Sequence, residues 1–252
     1  MLDQEFLQRR EQQNIEAEKF LKTQSARELW KGRGKEFERF VLGEINPDET
    51  FFKEEERIMG SDASFGKKLT GRQKNELFSL VERYNQLQPG TEYAKALLEA
   101  VSEAIGIDPQ DKTKRVNFCT TLIKSGDRVS AVDFKLGTDG FFVYEDSGKK
   151  YYVQLDATTN PDSSAKEIVN ADIIIAPENI PDKKRMPGEY AFQVEAMAMK
   201  INRVIQDKID RGDFVQKSGE SRSDVSLVTA ARGRNIREYT PPPKNISKGK
   251  KR

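Results

Sequence analysis

The stretch 136-LGTDGFFVYEDSGKKYYVQLDATTNP-161 decides the fold. It reads as two β-strands joined at Asp146-Ser147-Gly148, residues that favour a turn. The second strand, 149–159, alternates cleanly. Tyr151, Val153, Leu155 and Ala157 face one way, and Tyr152, Gln154, Asp156 and Thr158 the other. The first strand, 139–145, opens on Asp139. Aspartate is depleted inside strands, so Asp156 needs a reason to be there. The plain readings are a Gly-Thr-Asp-Gly turn for Asp139 and the polar side of a half-exposed strand for Asp156. The alternative is that two carboxylates meet where neighbouring strands end.

Downstream, 160-NPDSSAKEIVNA-171 carries helix-start signals: Asn160 before Pro161, and Ser164 with Glu167 as a capping box. ADIIIAP (171–177) is a continuous apolar run, of the kind buried on both faces of a sheet. A long helix is expected over about 188–212. Upstream, VSAVDF (129–134) reads as a further strand, and 112–124 leans towards helix. TGRQKNELFSLVERYNQL (70–87) and TEYAKALLEAVSEAIGI (91–107) have apolar residues at helical spacing, separated by Pro89-Gly90. Residues 48–70 read as a charged loop. Residues 25–45 form an amphipathic helix with Leu29, Trp30, Phe37, Phe40, Val41 and Ile45 at helical spacing, and 1–24 a polar helix. The order implies an α/β fold: a mixed sheet flanked by helices, with a helical insertion (about 48–125) between the first helix and the first strand. The chain divides into the polar helix 1–24, an α/β domain over 25–212 and a basic, disordered tail over 213–252.

Composition narrows the chemistry. The 252 residues include no histidine and one cysteine, Cys119. That removes histidine general bases, histidine metal sites and an intramolecular disulfide. Any catalysis must come from carboxylates, lysines, hydroxyls or a bound hard metal. Residues 216–252 hold ten Lys/Arg and three Asp/Glu, a net of +7, whereas the remainder nets −5. The N-terminal MLDQEFLQRREQQ has no apolar core, and no run of about 18–20 apolar residues occurs, so a cytoplasmic protein outside the membrane is expected.

Taken together, 34-GKEFERFV-41, 137-GTDG-140 and 154-QLDAT-158, in the order α–β–β–β–α–β, resemble the PD-(D/E)XK nuclease superfamily. The resemblance covers roughly 25–45 and 129–177. It implies the restriction-endonuclease-like αβββαβ core, with the helices of 70–107 as an insertion. It also implies divalent-metal-dependent phosphodiester cleavage of DNA or RNA. Asp139 and Asp156 would ligate Mg²⁺ or Mn²⁺, with Gln154 as a neutral ligand or water-positioning group and Glu38 completing the set. Gly34, one turn before Glu38, would leave room. The family's (D/E)-x-K would place an acid at 154 and a lysine at 156; this chain has Gln154 and Asp156, and a register shifted by two makes Thr158 the third group. No strand lysine remains, so Lys166, on the following helix, is the candidate to orient the nucleophile, with Lys135 behind it. Asp133 replaces Asp139 if the strand register differs. Tail residues Arg232, Arg234, Arg237, Lys248, Lys250 and Lys251 are candidates for phosphate contact. The alternative is an inactive nuclease-fold protein that binds nucleic acid, or a scaffold whose helical arms (1–45, 70–107, 188–212) bind protein partners.

Overall fold

The hairpin is built as the alternation requires. In the computed structural model, which describes residues 26–60, 69–85, 89–108, 110–124, 128–159 and 171–216, strands β2 (Gly140–Asp146) and β3 (Lys149–Ala157) pair antiparallel from Asp146↔Lys149 to Gly140↔Leu155. The two-residue link Ser147-Gly148 has positive φ at both positions (51° and 80°), as a type I′ turn needs.

Strand β1 (Lys114–Thr120) pairs antiparallel with β2, and β4 (Ile173–Ile175) pairs parallel with β3. The sheet order is β1-β2-β3-β4, and a two-residue strand β5 (Val215–Gln216) adds to the turn end of β3. Helix α1 (Gly34–Leu42) precedes three further helices: α2 (Glu49–Met59), α3 (Gly71–Tyr84) and α4 (Glu92–Ile105). The short helix α5 (Ala131–Leu136) lies between β1 and β2, and α6 (Pro187–Arg211) follows β4.

One sheet face presents Phe118, Phe142, Val153, Leu155 and Ile175 to α1, α4 and α6, chiefly to Phe37, Leu97 and Ile201. The other presents Cys119, Phe141, Val143 and Tyr152 to α2, α3 and α5, with Phe51, Leu77, Phe78 and Val132 opposite. The result is three layers, helix on sheet on helix. Among the described residues no helix is long and apolar enough to cross a membrane.

Several sequence expectations need correction. Residues 129–134 are not a strand: Ser130 accepts the Asp133 N–H (3.1 Å) and starts α5, which Gly137 ends in the left-handed region (φ 61°). Residues 114–120 are not helix but β1, because β2 offers them a full antiparallel partner. Residues 48–70 are not all loop: Asp48 accepts from the Thr50 and Phe51 N–H groups and caps α2. The helix expected over 25–45 breaks at Gly32 (φ 73°), leaving helical residues 26–30 before α1. Strand β4 is shorter than 171–177, and Ile174 is 42% exposed, so it is not covered on both faces. Residues 215–216 belong to the sheet rather than the tail. The helices expected over 1–24 and 160–171, and the tail from 217, lie outside the described residues.

Gly140 marks a tight backbone approach. A Cβ there would sit 3.1 Å from the Cys119 carbonyl oxygen, on the neighbouring strand, whereas one at Gly71 would meet nothing within 4 Å. Gly140→Ala is therefore expected to cost about 1–2 kcal/mol, whereas Gly71→Ala, in open space in the first turn of α3, is expected to gain about 0.4–1 kcal/mol. Urea midpoints of the two variants measure the contrast; equal midpoints would show that the strands have room to part.

Candidate functional site

The register of the hairpin, extended one residue beyond Gly140↔Leu155, sets Asp139 opposite Asp156. Both are buried, Asp139 to 5% exposure. Asp139 is fixed through its backbone and side chain together. Its N–H donates to the Leu155 carbonyl (2.9 Å), and its own carbonyl accepts from the Thr121 N–H (3.0 Å). Its Oδ2 accepts the Ala157 N–H (2.8 Å). The Thr121 hydroxyl donates to the Thr138 carbonyl (2.6 Å), holding the 137–139 segment against the end of β1.

The partner strand is braced from its other edge. Asp172 Oδ2 accepts the Gln154 N–H (2.8 Å) and the Lys208 ammonium (2.8 Å), and Lys208 also donates to the Tyr152 carbonyl (2.7 Å). A lysine from α6 thus extends a ladder that β4 is too short to complete. Thr158, buried just beyond β3, donates its N–H to the Ile175 carbonyl (2.9 Å). Tyr152 covers the approach from the α3 side, its ring stacked on Phe78 at 5.0 Å.

Electrostatics tie the two acids to two more. Burial holds the Asp139 carboxyl far above the usual range for an aspartate. Glu38 raises it next, and Asp156 and Asp133 add to the rise, against the Ala157 N–H that favours the charged form. Glu38 comes from α1 and Asp133 from α5, so four segments contribute acids to one neighbourhood. Glu38 and Asp133 also line a surface cleft between these elements, together with Lys35, Arg39 and Arg128. Among the described residues, no group of three or more His, Cys, Asp or Glu side chains stands close enough to hold a metal ion.

The other expected residues fall as follows. Gln154 is on β3, two residues before Asp156 and on the same face, and its Oε1 accepts the Thr138 hydroxyl (2.9 Å). A Cβ at Gly34 would lie 3.9 Å from Glu38 Oε1 and 3.8 Å from Thr159 Oγ1, ordinary contact distances, so the site does not demand a glycine there. The Lys135 ammonium lies 5.7 Å from the Phe134 ring centre. Asp133 joins Asp139 rather than replacing it. Lys166 and the basic tail lie outside the described residues.

One participant escaped the sequence. Glu55, buried on α2, accepts the Ala131 N–H (2.6 Å) at the first residue of α5. Burial pushes its carboxyl up to about 7, with the Ala131 N–H opposing and Glu56 adding to the rise. The only hint in the sequence is that position 55 lies one helical turn from both Phe51 and Ile58, the buried residues of α2.

Compared with protein-family models, curated proteins and solved structures, the chain matches none.

Both buried acids bind protons more tightly in the folded chain than in the unfolded one. Each is neutral in both states at low pH; as pH rises, the unfolded chain ionises first while the folded one still holds its proton, and stability falls until the folded form ionises too. In chelator, stability is therefore expected to fall as pH rises from 4.5 through about 7, by about 3 kcal/mol for Glu55 alone, and to keep falling above that through Asp139. Asp139→Asn, uncharged at any pH, is expected to exceed the natural chain by about 1–3 kcal/mol at pH 8. Urea unfolding across pH 4 to 9 reads both effects, and a flat profile would contradict the burial of ionisable carboxyls.

Proposed function

We propose that this chain is a divalent-metal-dependent nuclease with the restriction-endonuclease-like core, cleaving phosphodiester bonds in DNA or RNA. What supports the reading above all is the paired, buried Asp139 and Asp156 at the open end of the β2–β3 hairpin, with Glu38 near enough to hold Asp139 towards its neutral form. A carboxylate so placed is stabilised when a cation shares the site. The donor set is all oxygen, which suits Mg²⁺ or Mn²⁺ better than softer metals. The four-strand mixed sheet, with four helices before it and helices on both faces, is an α/β arrangement of which that core would be one form.

Asp139 and Asp156 would hold the metal, with Glu38 completing the set through water, since the three do not stand close enough to ligate it directly. Bound there, it would polarise the phosphate and lower the pKa of an attacking water. Gln154, its carboxamide oriented by Thr138, would position that water through its amide nitrogen, with Thr158 beside it. Lys166 would steady the nucleophile. With no histidine in the chain, proton transfer falls to water, carboxylate and lysine.

A second reading has its own support. No lysine stands at 156, and the Gln154 oxygen already accepts a hydrogen bond. Both fit a nuclease-fold protein that has kept binding, to nucleic acid or to protein partners, and lost cleavage.

Labelled single-stranded and duplex DNA and RNA, incubated with the full chain in Mg²⁺ or Mn²⁺, separate the two. The nuclease reading expects cleavage that chelator stops and that falls below detection in Asp139→Asn and in Asp156→Asn, both still folded. Cleavage undiminished in both variants refutes it; binding without cleavage under any metal selects the second reading.

A further inference from the structure

The cleft that Glu38 and Asp133 share is not an acidic one. Three cations line it with them: Lys35 and Arg39, on either side of Glu38 along α1, and Arg128, from the segment that leads into α5. Lys35 makes no ion pair with another described residue. Arg39 meets Glu44 (2.6 Å), and Arg128 meets Glu49 (3.0 Å) while its guanidinium lies 4.5 Å from the Phe52 ring centre. The Arg128 pair is solvent-exposed and the Arg39 pair half-buried; an exposed pair contributes little, so a phosphate can take over Arg128 without a large loss. Arginine offers a planar fork that matches two phosphate oxygens, whereas lysine offers a mobile point charge.

We propose that this cleft is the track along which a nucleic-acid strand lays its phosphate backbone on the way to the carboxylates, with Lys35, Arg39 and Arg128 as its phosphate contacts. The proposal rests on the nucleic-acid reading above and adds the path. Two features favour a strand over a lone phosphate. The cations come from two separate elements along an open surface cleft, not from one closed pocket. The cleft also runs to Glu38 and Asp133, the same two acids that act on Asp139. The carboxylates that line it repel a backbone unless they are neutralised, so the cations that line it with them set where phosphates can lie. The basic tail adds a general attraction, but it is the same in every variant of the cleft.

The test is fluorescence anisotropy of a labelled oligonucleotide of about 20 nucleotides, single-stranded and duplex, against the full chain. Ca²⁺ replaces Mg²⁺, and KCl runs from about 50 to 200 mM. Lys35→Ala, Arg128→Ala and the double variant are compared with Lys200→Ala, which removes the same charge from the exposed surface of α6. Each cleft variant is expected to bind several-fold more weakly, and the plot of log affinity against log salt to become shallower by about 0.7–0.9 per lost contact. Lys200→Ala is expected to overlay the natural chain. Arg128→Lys keeps the charge and should keep the slope, which separates phosphate contact from the packing of Arg128 on Phe52. If the double variant keeps the natural affinity and slope, the track is not here, and the nucleic-acid reading stands on its own. If the natural chain binds neither oligonucleotide even at the lowest salt, that reading falls and the track falls with it.

Discussion

The Ala157 N–H to Asp139 Oδ2 hydrogen bond is the constraint on which the site depends. It joins the start of β2 to the end of β3 through a side chain, at the point where backbone pairing between them stops. A carboxylate buried to this degree is costly in charged form unless something compensates it. One N–H does part of that, but Glu38 and Asp156 work against it. A structural role alone would be served as well by asparagine, which accepts the same hydrogen bond without the charge. Keeping an ionisable group there is the kind of stability cost that functional sites carry.

The surrounding fold is arranged to hold that point rigid. β2 lies in the middle of its sheet, between β1 and β3, so Asp139 leaves a strand with partners on both sides. The approach of Gly140 to the Cys119 carbonyl fixes how closely β1 flanks it. β3 is held by α6 through Lys208 and Asp172, and by α3 through the Lys150–Glu82 pair (2.7 Å). α5 is fixed at its first turn by two side chains, Ser130 from its own chain and Glu55 from α2, and it carries Asp133 into place. The carboxylates therefore sit on well-braced elements rather than on free loops.

How much of this was legible in the sequence follows from where the signals are local. The β2–β3 hairpin was readable because period-two alternation and a Ser-Gly turn agree with each other. α3, α4 and α6 were readable from their apolar spacing and their Thr, Pro and Gly boundaries. β1 was not, because KRVNFCT carries two charges and sits at the sheet edge, and only its pairing with β2 makes it a strand. α5 was misread because VSAVDF is rich in β-branched residues. Yet Ser130 and Asp133 spell a helix start, and tertiary burial of Ala131, Val132 and Leu136 selected helix. The pairing of Asp139 with Asp156 was legible from the hairpin alone. The inclusion of Asp133 beside it, and the cations opposite Glu38, required the three-dimensional path of α1 and α5.

The charge balance of the site has a further consequence. Four carboxylates act on one neighbourhood, and two of them, Glu38 and Asp133, also line the cleft with Lys35, Arg39 and Arg128. Burial, with Glu38, Asp156 and Asp133 nearby, disfavours the charged form of Asp139, while Lys35, Arg39 and Arg128 make the adjoining surface favourable for an anion. In the proposed reading, a cation beside Asp139 would stabilise its charged form, and a polyanion in the cleft would meet Lys35, Arg39 and Arg128. Their binding is then expected to be mutually reinforcing, because the metal removes the repulsion that the phosphate would feel and the phosphate supplies oxygens that the buried acids do not. Among the described residues the acids are gathered but do not form a set of three metal ligands, so in the proposed reading a substrate phosphate would help to complete one.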